Sequence, residues 1–413
     1  MCMTRIENLR RRIEEEGQLY IPGYVSERVR NCINDLGWSS YTDDCINDAW
    51  RELKRIYAEG GNTATIYRKE RYVISYLRYY FFLIYPAIKW ILFNILERGA
   101  EIIPRERKRN EINILDYGAG PGTASMAICD FLKDAEESSV YVYENKAIKL
   151  HFDELSGLFS KCYKNMLGGH EMVREIIDNM RDESDGGQNR YDIIVASYVL
   201  NELSDGMREL FLDKARRYLT DGGYLIIIES AYANARRYMG DFLNLTRGSF
   251  KIIDASGPLC SLQSCRLRDK CSKISIKRKD LRIPDGMTEE MRRSFSERNG
   301  GKTKWVHAIL RKEENIFVDP SGVEEHRGSG SFTSSGWVIE RNLTERAENI
   351  TLCHGLGPCN LAFWRERRAV FDLIGNRNIS EGDILWIEGD YSGSSFNDLP
   401  SVYVSRLIEH IKK

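Results

Sequence analysis

Several features that would classify the chain at once are missing from its sequence. Its 413 residues carry a formal net charge of −1, so no overall positive excess marks a nucleic-acid-binding protein, and any such surface must be local. No charged segment followed by an apolar one opens the chain, which predicts no secretory signal and an intracellular, reducing location, either cytoplasm or mitochondrion. The most apolar stretch, Tyr72 to Leu96, is interrupted by Arg78, Pro86 and Lys89. We therefore expect buried helix there and no membrane span.

The ten cysteines form no Cys-x-x-Cys pair, the spacing typical of zinc ribbons. Cys260, Cys265 and Cys271 are separated by four and five residues, and Cys353 and Cys359 form a later pair. In a reducing compartment, clustered cysteines are more often metal ligands than disulfides. Three clustered thiolates with one remote thiolate suit an iron–sulfur cluster, with Cys353 or Cys359 as the fourth ligand. Buried thiols without any ligand are the alternative.

Patterns of hydrophobicity and composition divide the chain into three predicted parts. They are a helical region at 1–108, an α/β domain at 109–315 with a cysteine-containing insertion at 258–301, and a small β domain at 320–413. The helical region has apolar residues at helical spacing from Asp44 to Ala58. The last part consists of short β-type runs, which predict a small barrel or sandwich.

Strand and helix patterns alternate in the middle part, and such an alternation predicts a parallel sheet with helices on its faces. Strands are predicted at 112–117, 140–143, 191–197, 224–228 and 304–310, and helices at 123–132 and 207–219. One more strand is expected between 146 and 190, at a position that the pattern does not assign. In the last part, the β-type runs include 337–340 and 384–387.

The first predicted strand runs into the segment Asp116–Thr123, in which Gly118, Gly120 and Gly122 occupy alternate positions. Glycines let a backbone turn sharply and approach a ligand, and the following helix N terminus directs free amides at it. Glu144 ends the second predicted strand, where a carboxylate can accept ribose hydroxyl protons. The glycine spacing differs from that of dinucleotide-binding loops, so it favours S-adenosylmethionine over a nicotinamide cofactor or an empty pocket. The predicted cofactor-binding residues are Asp116, Gly118, Gly120, Gly122, Glu144 and Ser197.

Residues Val195–Leu203 comprise the end of the predicted strand 191–197 and the segment after it, beside the expected position of a methyl donor. The Asn/Asp-Pro-Pro-aromatic motif of many amino-methylating enzymes is absent from this segment. Tyr198 and Asn201 are the only catalytic candidates that the sequence offers. Asn201 is equally suited to cap the next helix.

The segment from Arg266 to Lys312 is strongly basic, with 15 lysines and arginines against 6 acidic residues. Phosphate backbones attract such segments through counterion release, so we expect this one to contact RNA. A solvated loop without a partner would have the same composition. A metal site formed by the neighbouring cysteines would order the segment and so favour contact with RNA.

Together, these features resemble a family of methyltransferase-like proteins associated with the mitochondrial small ribosomal subunit, and their prokaryotic relatives. The resemblance extends over roughly residues 60–390 and uses Asp116–Thr123, Val195–Leu203, the tyrosine-rich helices before the glycine loop and the order of the cysteines. Pro258-Leu259-Cys260 and Leu352-Cys353 match the family pattern in order, whereas Ser261-Leu262 stands where the family has Pro-His.

The resemblance implies a class I S-adenosylmethionine methyltransferase (Rossmann-like) domain and a small β-barrel-like domain. It implies binding to small-subunit rRNA and a role in assembling that subunit, and it leaves rRNA methylation open; we expect no DNA partner. It also implies a 4Fe-4S cluster, with the ligands Cys260, Cys265, Cys271 and Cys353. The alternatives are a methyltransferase for a small molecule or a protein, with zinc bound by the cysteines, and a catalytically inactive scaffold.

Overall fold

The computed structural model describes a large part of the 413-residue chain. The described residues are 2–15, 18–59, 66–97, 111–140, 147–179, 191–230, 239, 241–243, 245–246, 249–255, 275–277, 285–297, 302–312, 331–343, 347–353, 358–364, 384–396 and 399–411. The chain divides into two compact units. The first contains 1–239, 249–254 and 274–316, and the second contains 240–248, 255–273 and 317–413.

The first unit opens with helices, as the hydrophobic pattern predicts. Their bounds are α1 Cys2–Ile13, α2 Gly23–Asp35, α3 Asp43–Glu59, α4 Glu70–Ser75 and α5 Phe81–Glu97, with a short hairpin of β1 Glu14–Glu15 and β2 Gln18–Leu19 after α1. A 3₁₀ turn at Ile66–Arg68 precedes α4, and a π-helical turn at Tyr76–Tyr80 joins α4 to α5. Within the described part of the chain, no helix is both long and apolar enough to cross a membrane. The apolar stretch is instead buried in the protein core.

A mixed sheet with helices between its strands forms the rest of the first unit. Its strands are β3 Glu111–Tyr117, β4 Ala147–Asp153, β5 Val173–Asp178, β6 Tyr191–Ser197, β7 Leu219–Ser230, β8 Phe250–Ala255, β9 Ser275–Lys277 and β10 Lys302–Lys312. The helices are α6 Thr123–Glu137, α7 Gly157–Leu167, α8 Asp205–Tyr218 and α9 Glu289–Glu297. The strand order is β5-β4-β3-β6-β7-β10-β8, with β9 beside β10. Strands β3 to β7 are parallel and β10 runs antiparallel to β7, which is the class I methyltransferase arrangement.

Most of the predicted elements of this sheet are confirmed, but the second strand was misplaced. It was predicted at 140–143, whereas the strand that pairs with β3 is β4, at Ala147–Asp153. Of the predicted residues, only Val140 is described, and it lies in no strand. In β4, Lys149 and His151 alternate with buried apolar residues, so the segment looks less apolar than the one before it. The strand expected between 146 and 190 is β5.

The second unit contains a closed five-stranded barrel, as the β-type pattern predicts. Its strands are β11 Ser331–Leu343, β12 Ala347–Cys353, β13 Pro358–Trp364, β14 Ile384–Phe396 and β15 Leu399–Ile411. Their order is β11-β12-β13-β15-β14, and the barrel closes where β14 pairs with β11. Strands β13 and β15 are parallel, and the other neighbours are antiparallel. The predicted boundaries of the three parts, 1–108, 109–315 and 320–413, stay predictions.

Candidate functional site

The glycine loop connects β3 to α6 at the carboxyl edge of the sheet, where parallel α/β folds bind ligands. Gly118, Gly120 and Gly122 all have positive φ angles, of 65°, 53° and 86°, which L-residues with a side chain rarely adopt. The amides of Gly118 and Ala119 donate to the carbonyl oxygen of Asp153, at 2.9 and 3.1 Å. The loop is thereby held against the end of β4.

The three glycines have different surroundings. A Cβ atom on Gly118 would lie 2.4 Å from Cγ2 of Val199, and one on Gly122 would lie 2.8 Å from Cδ1 of Leu167. Among the described residues, no atom would lie within 4 Å of a Cβ atom on Gly120. Gly118 and Gly122 are therefore required for packing, whereas Gly120 borders open space.

Asp116 lies beneath the loop. Its carboxylate accepts hydrogen bonds from the amide and the hydroxyl of Ser125, at 3.2 and 2.7 Å, and its side chain is almost fully buried. Burial raises the pKa of Asp116 to about 7. The residue therefore joins the end of β3 to the first turn of α6 and supports the loop from below.

Glu154 directly follows β4 and lies at the glycine loop. Its carboxylate accepts hydrogen bonds from the amides of Gly120 and Ser156, at 2.8 and 2.7 Å, and burial raises its pKa. The next residue, Leu155, has 78% of its surface exposed, which is unusual for a large apolar side chain. Sequence reasoning missed Glu154 because it placed the second strand too early. Glu144, predicted for this role, lies outside the described residues.

A turn follows β6 and carries the predicted residues Ser197, Tyr198 and Asn201. The hydroxyl of Ser197 is buried and has no hydrogen-bond partner among the described residues. Tyr198 has a φ of 60°, a strained conformation that is concentrated at functional sites in proteins. Asn201 is exposed, and the cap of α8 is not Asn201 but Ser204, whose hydroxyl accepts the amide of Met207 at 3.4 Å.

Glu229 supports this turn from the adjacent strand, and sequence reasoning missed it. Its side chain is fully buried near the carboxyl end of β7, and Oε1 accepts the amide of Leu200 at 2.6 Å. The carbonyl oxygen of Leu200 accepts a hydrogen bond from Nε of Arg208 at 2.9 Å. The turn is therefore held by Glu229 of β7 and by Arg208 of α8. Oε2 of Glu229 has no partner in the described part of the structure. Burial raises the pKa of Glu229 to about 8, so the carboxyl group is mainly protonated at neutral pH.

Tyrosines from the N-terminal helices lie beside the same edge of the sheet. The hydroxyl of Ser156, two residues after Glu154, donates to the carbonyl oxygen of Tyr67 at 2.8 Å. The ring of Phe159, in the first turn of α7, lies 4.4 Å from the ring of Tyr67 and 5.3 Å from that of Tyr76. The tyrosine-rich helices are therefore part of the site's surroundings.

The predicted metal ligands are only partly within the described structure. Cys260, Cys265 and Cys271 lie outside the described residues. Cys353 ends β12 opposite Pro358, and Cys359 in β13 is opposite Leu352. For β12 and β13 the structure describes the backbone only. The side chains that it does describe include no group able to hold a metal ion. The cluster, the choice between iron–sulfur and zinc, and the fourth ligand stay predictions.

Comparisons with known proteins agree with this fold. A family model described as mitochondrial small ribosomal subunit Rsm22 matches residues 70–245. The hybrid PKS-NRPS synthetase iccA of Talaromyces variabilis is 33% identical over 120 residues, which are 28% of this chain and 3% of that protein. The highly reducing polyketide synthase otaA of Aspergillus carbonarius is 30% identical over 123 residues, 29% of this chain and 5% of that protein. The chain thus corresponds to only a small part of these curated relatives.

The solved structures that match this chain are distant from it in sequence. A fibrillarin/Nop5p complex covers 54% of this chain and 82% of its own chain, at 14% identity and a TM-score of 0.30. The match with the DszA carbon methyltransferase covers 55% of this chain and 53% of that chain, at 15% identity and a TM-score of 0.31. We base no functional argument on either. The family model that matches residues 70–245 is thus that of the family which the sequence resembles, and the strand order is that of a class I methyltransferase fold.

Proposed function

We propose that this protein is an S-adenosylmethionine-dependent methyltransferase that binds and modifies rRNA of the ribosomal small subunit. The observation that carries the proposal is the geometry at Gly120. Its amide donates to the carboxylate of Glu154, and no atom of the part of the chain that the structure describes would contact a Cβ at this position. A carboxylate beside an open, glycine-lined helix N terminus suits a ligand with a ribose.

The residues at this edge of the sheet fit S-adenosylmethionine, which supplies an activated methyl group when bound. Glu154 would accept hydrogen bonds from the ribose hydroxyls, in the role that the sequence assigned to Glu144. Leu155, which has 78% of its surface exposed, would cover one face of the adenine ring. The buried, unpartnered hydroxyl of Ser197 would have a partner in the bound ligand or in the methyl acceptor.

The proposed RNA partner rests on the family and on the basic segment 266–312. Lys277, in β9, is opposite Lys302 of β10, so two cationic residues are adjacent in this small sheet. The barrel of the second unit has five strands, the number found in oligonucleotide-binding barrels. Both features favour RNA as the partner.

The proposal is tested by methyl transfer from S-adenosylmethionine carrying a radiolabelled methyl group to isolated small-subunit rRNA. We expect label in the RNA with the wild-type protein and none with Gly120→Arg, because arginine would fill the open space at the loop. Retention of S-adenosylmethionine binding without any transfer would instead support the inactive scaffold. Equal transfer by both proteins would contradict the proposal.

The RNA interface is tested separately, by charge reversal at Lys277, Arg278 and Lys279. Each lost phosphate contact removes about 0.7 to 0.9 from the slope of log affinity against log salt, so we expect a slope reduced by roughly 2. S-adenosylmethionine binding should be unchanged. The same affinity and the same slope as in the wild type would exclude this segment as the RNA surface.

The cluster is proposed on the order of the cysteines alone. Protein purified anaerobically should contain iron and sulfide, and the variants Cys260→Ser, Cys265→Ser and Cys271→Ser should lose both. Cys353→Ser should lose more iron than Cys359→Ser; the reverse would reassign the fourth ligand. Colourless protein with zinc only would favour the structural zinc site.

A second candidate function is methylation of a small molecule. It is favoured by the two relatives named for polyketide synthesis, which are 33% and 30% identical to parts of this chain. The transfer assay separates the two functions, because a small-molecule enzyme would leave RNA unlabelled while consuming S-adenosylmethionine with an organic acceptor.

A further inference from the structure

Four tyrosines form a continuous cluster of rings in the N-terminal helices. The tyrosine cluster comprises Tyr57 of α3, Tyr67 of the 3₁₀ turn, and Tyr76 and Tyr80 of the π-helical turn. The rings of Tyr57 and Tyr80 lie 5.1 Å apart, those of Tyr76 and Tyr80 lie 5.6 Å apart, and those of Tyr67 and Tyr76 lie 6.0 Å apart. The hydroxyls of Tyr57 and Tyr67 are hydrogen-bonded to each other.

The cluster adjoins the carboxyl edge of the sheet through Ser156, whose hydroxyl donates to the carbonyl oxygen of Tyr67, and through Phe159, whose ring lies 4.4 Å from that of Tyr67 and 5.3 Å from that of Tyr76. Burial raises the pKa of the Tyr76 hydroxyl well above its usual range, and neighbouring Tyr198 and Glu202 raise it further. Glu202 also contributes to the raised pKa values of Tyr57 and Tyr67. Glu202 is thus electrostatically coupled to three tyrosines of the cluster, although it lies more than 100 residues away in sequence.

The backbone that presents these rings is unusual. Tyr76–Tyr80 form a π-helical turn, a rare conformation that is frequent at functional sites. Of the cluster, Tyr67 is buried, whereas Tyr57, Tyr76 and Tyr80 remain partly exposed.

Two buried polar atoms near the carboxyl ends of β6 and β7 have no partner among the described residues. They are Oγ of Ser197, at the end of β6, and Oε2 of Glu229, near the end of the adjacent strand β7. Unpartnered buried polar groups are rare in proteins and need an explanation. A bound polar acceptor would supply the missing partners.

We propose that the tyrosine cluster forms the wall of the methyl-acceptor site and selects a planar nucleobase, unstacked from single-stranded RNA. This inference rests on the proposed function and names its acceptor class. Aromatic side chains bind unpaired bases by stacking, and enzymes that act on a base withdraw it from its stack. An aliphatic acceptor would make no such stack.

The test uses the full-length protein saturated with S-adenosylhomocysteine, after calorimetry has shown that this ligand binds. A single-stranded RNA octanucleotide is cross-linked to the protein by ultraviolet light, and the modified peptides are identified by mass spectrometry. Its affinity is measured by fluorescence anisotropy for the wild type and for Tyr76→Leu, Tyr80→Leu and Tyr76→Phe. Tyr218→Leu is the matched control, because Tyr218 ends α8 and its ring contacts Tyr191, which begins β6 at the opposite edge of the sheet.

We expect cross-links within residues 57–80, and no cross-links there with the same sequence as a duplex. Tyr76→Leu or Tyr80→Leu should weaken RNA binding roughly 5- to 150-fold, the effect of losing one base–aromatic stack. Tyr76→Phe keeps the ring and should change the affinity less than threefold, as should Tyr218→Leu. The affinity for S-adenosylhomocysteine should stay within twofold in each variant, which also reports that the variant is folded.

The inference is overturned if no cross-link falls within 57–80, or if both leucine variants at the cluster bind the RNA like Tyr218→Leu. Equal cross-linking by the duplex would also overturn it, because a paired base cannot enter such a site. If S-adenosylhomocysteine does not bind the wild-type protein, the proposed function itself has failed. The two failures are therefore distinguishable.

Discussion

Glu229 illustrates how a single buried carboxyl group couples the candidate site to pH. Its pKa is raised to about 8 in the folded protein, by burial and by the nearby charge of Glu202, from an ordinary value of 4.5. The folded protein therefore keeps this proton over a pH range in which the unfolded chain has lost it. Such a group stabilises the folded protein fully at pH values below its ordinary pKa. This stabilisation is lost as the pH rises through the folded-state pKa of about 8.

Glu229→Gln should remove this pH dependence, because the amide resembles the protonated carboxyl group and cannot ionise. Between pH 5 and 8, the free energy of unfolding of the variant should increase relative to the wild type by roughly 3 kcal/mol. Urea denaturation of both proteins at the two pH values measures the difference. A difference that does not change with pH would show that Glu229 does not titrate in this range.

The glycines of the loop make a second residue-level prediction. Gly118→Ala combines a positive φ with a Cβ atom 2.4 Å from Val199, so it should destabilise the fold by at least about 2 kcal/mol. Gly120→Ala places a side chain at a positive φ without a close contact to a described residue, so it should lower the free energy of unfolding by about 1 kcal/mol. Thermal unfolding of the two variants tests whether Gly118→Ala is the more destabilising. Adding Val199→Ala to Gly118→Ala should restore part of the lost stability, because it removes the atom that the new Cβ would contact. Equal destabilisation of the two would contradict the packing explanation.

Between elements, a buried hydrogen-bond network attaches the N-terminal helices to the sheet domain. Asp130 of α6 accepts hydrogen bonds from the hydroxyls of Tyr24 in α2 and Tyr85 in α5, the latter at 2.5 Å. Nε2 of His170 lies 3.0 Å from the same carboxylate, and its Nδ1 accepts the amide of Met172. Although burial opposes ionisation, the hydrogen bond from His170 and the charge of Lys89 lower the pKa of Asp130.

Asp130→Ala should therefore destabilise the protein by at least about 3 kcal/mol, because it leaves three buried donors without an acceptor. Asp213→Ala, which removes an exposed carboxylate of α8 paired with Arg216, should change the stability by less than about 0.5 kcal/mol. Chemical denaturation measures both. Similar values for the two variants would mean that the network does not hold the helices to the sheet.

At the element scale, local signals explain which elements were predictable. The strand at Tyr191–Ser197 and the start of α6 at Thr123 were predicted as observed, because continuous apolar runs and glycine turns mark them. Strand β4 was missed, and with it Glu154, because polar residues alternate along it beside a more apolar neighbouring segment. A partly buried strand of this kind is recognised only by its pairing with β3, which is a tertiary property.

At the scale of the whole molecule, the candidate site combines residues that are far apart in sequence. The glycine loop was evident because its residues are consecutive, whereas Glu229 is a single carboxylate in an apolar strand, and no local pattern shows that its oxygen lacks a partner. The tyrosine-rich helices were noted only as part of a family resemblance. Their approach to Glu202 depends on how the helices pack on the sheet.

The central claim is that the glycine loop and Glu154 bind S-adenosylmethionine, and calorimetric titration of this ligand tests it most directly. The wild type should bind one equivalent, and Glu154→Gln should bind roughly 10- to 100-fold more weakly, because charge-assisted hydrogen bonds to the ribose are lost. Glu137→Gln, at the far end of α6, removes the same charge and should bind like the wild type. Absence of binding by the wild type, or equal affinities of Glu154→Gln and Glu137→Gln, would contradict the account.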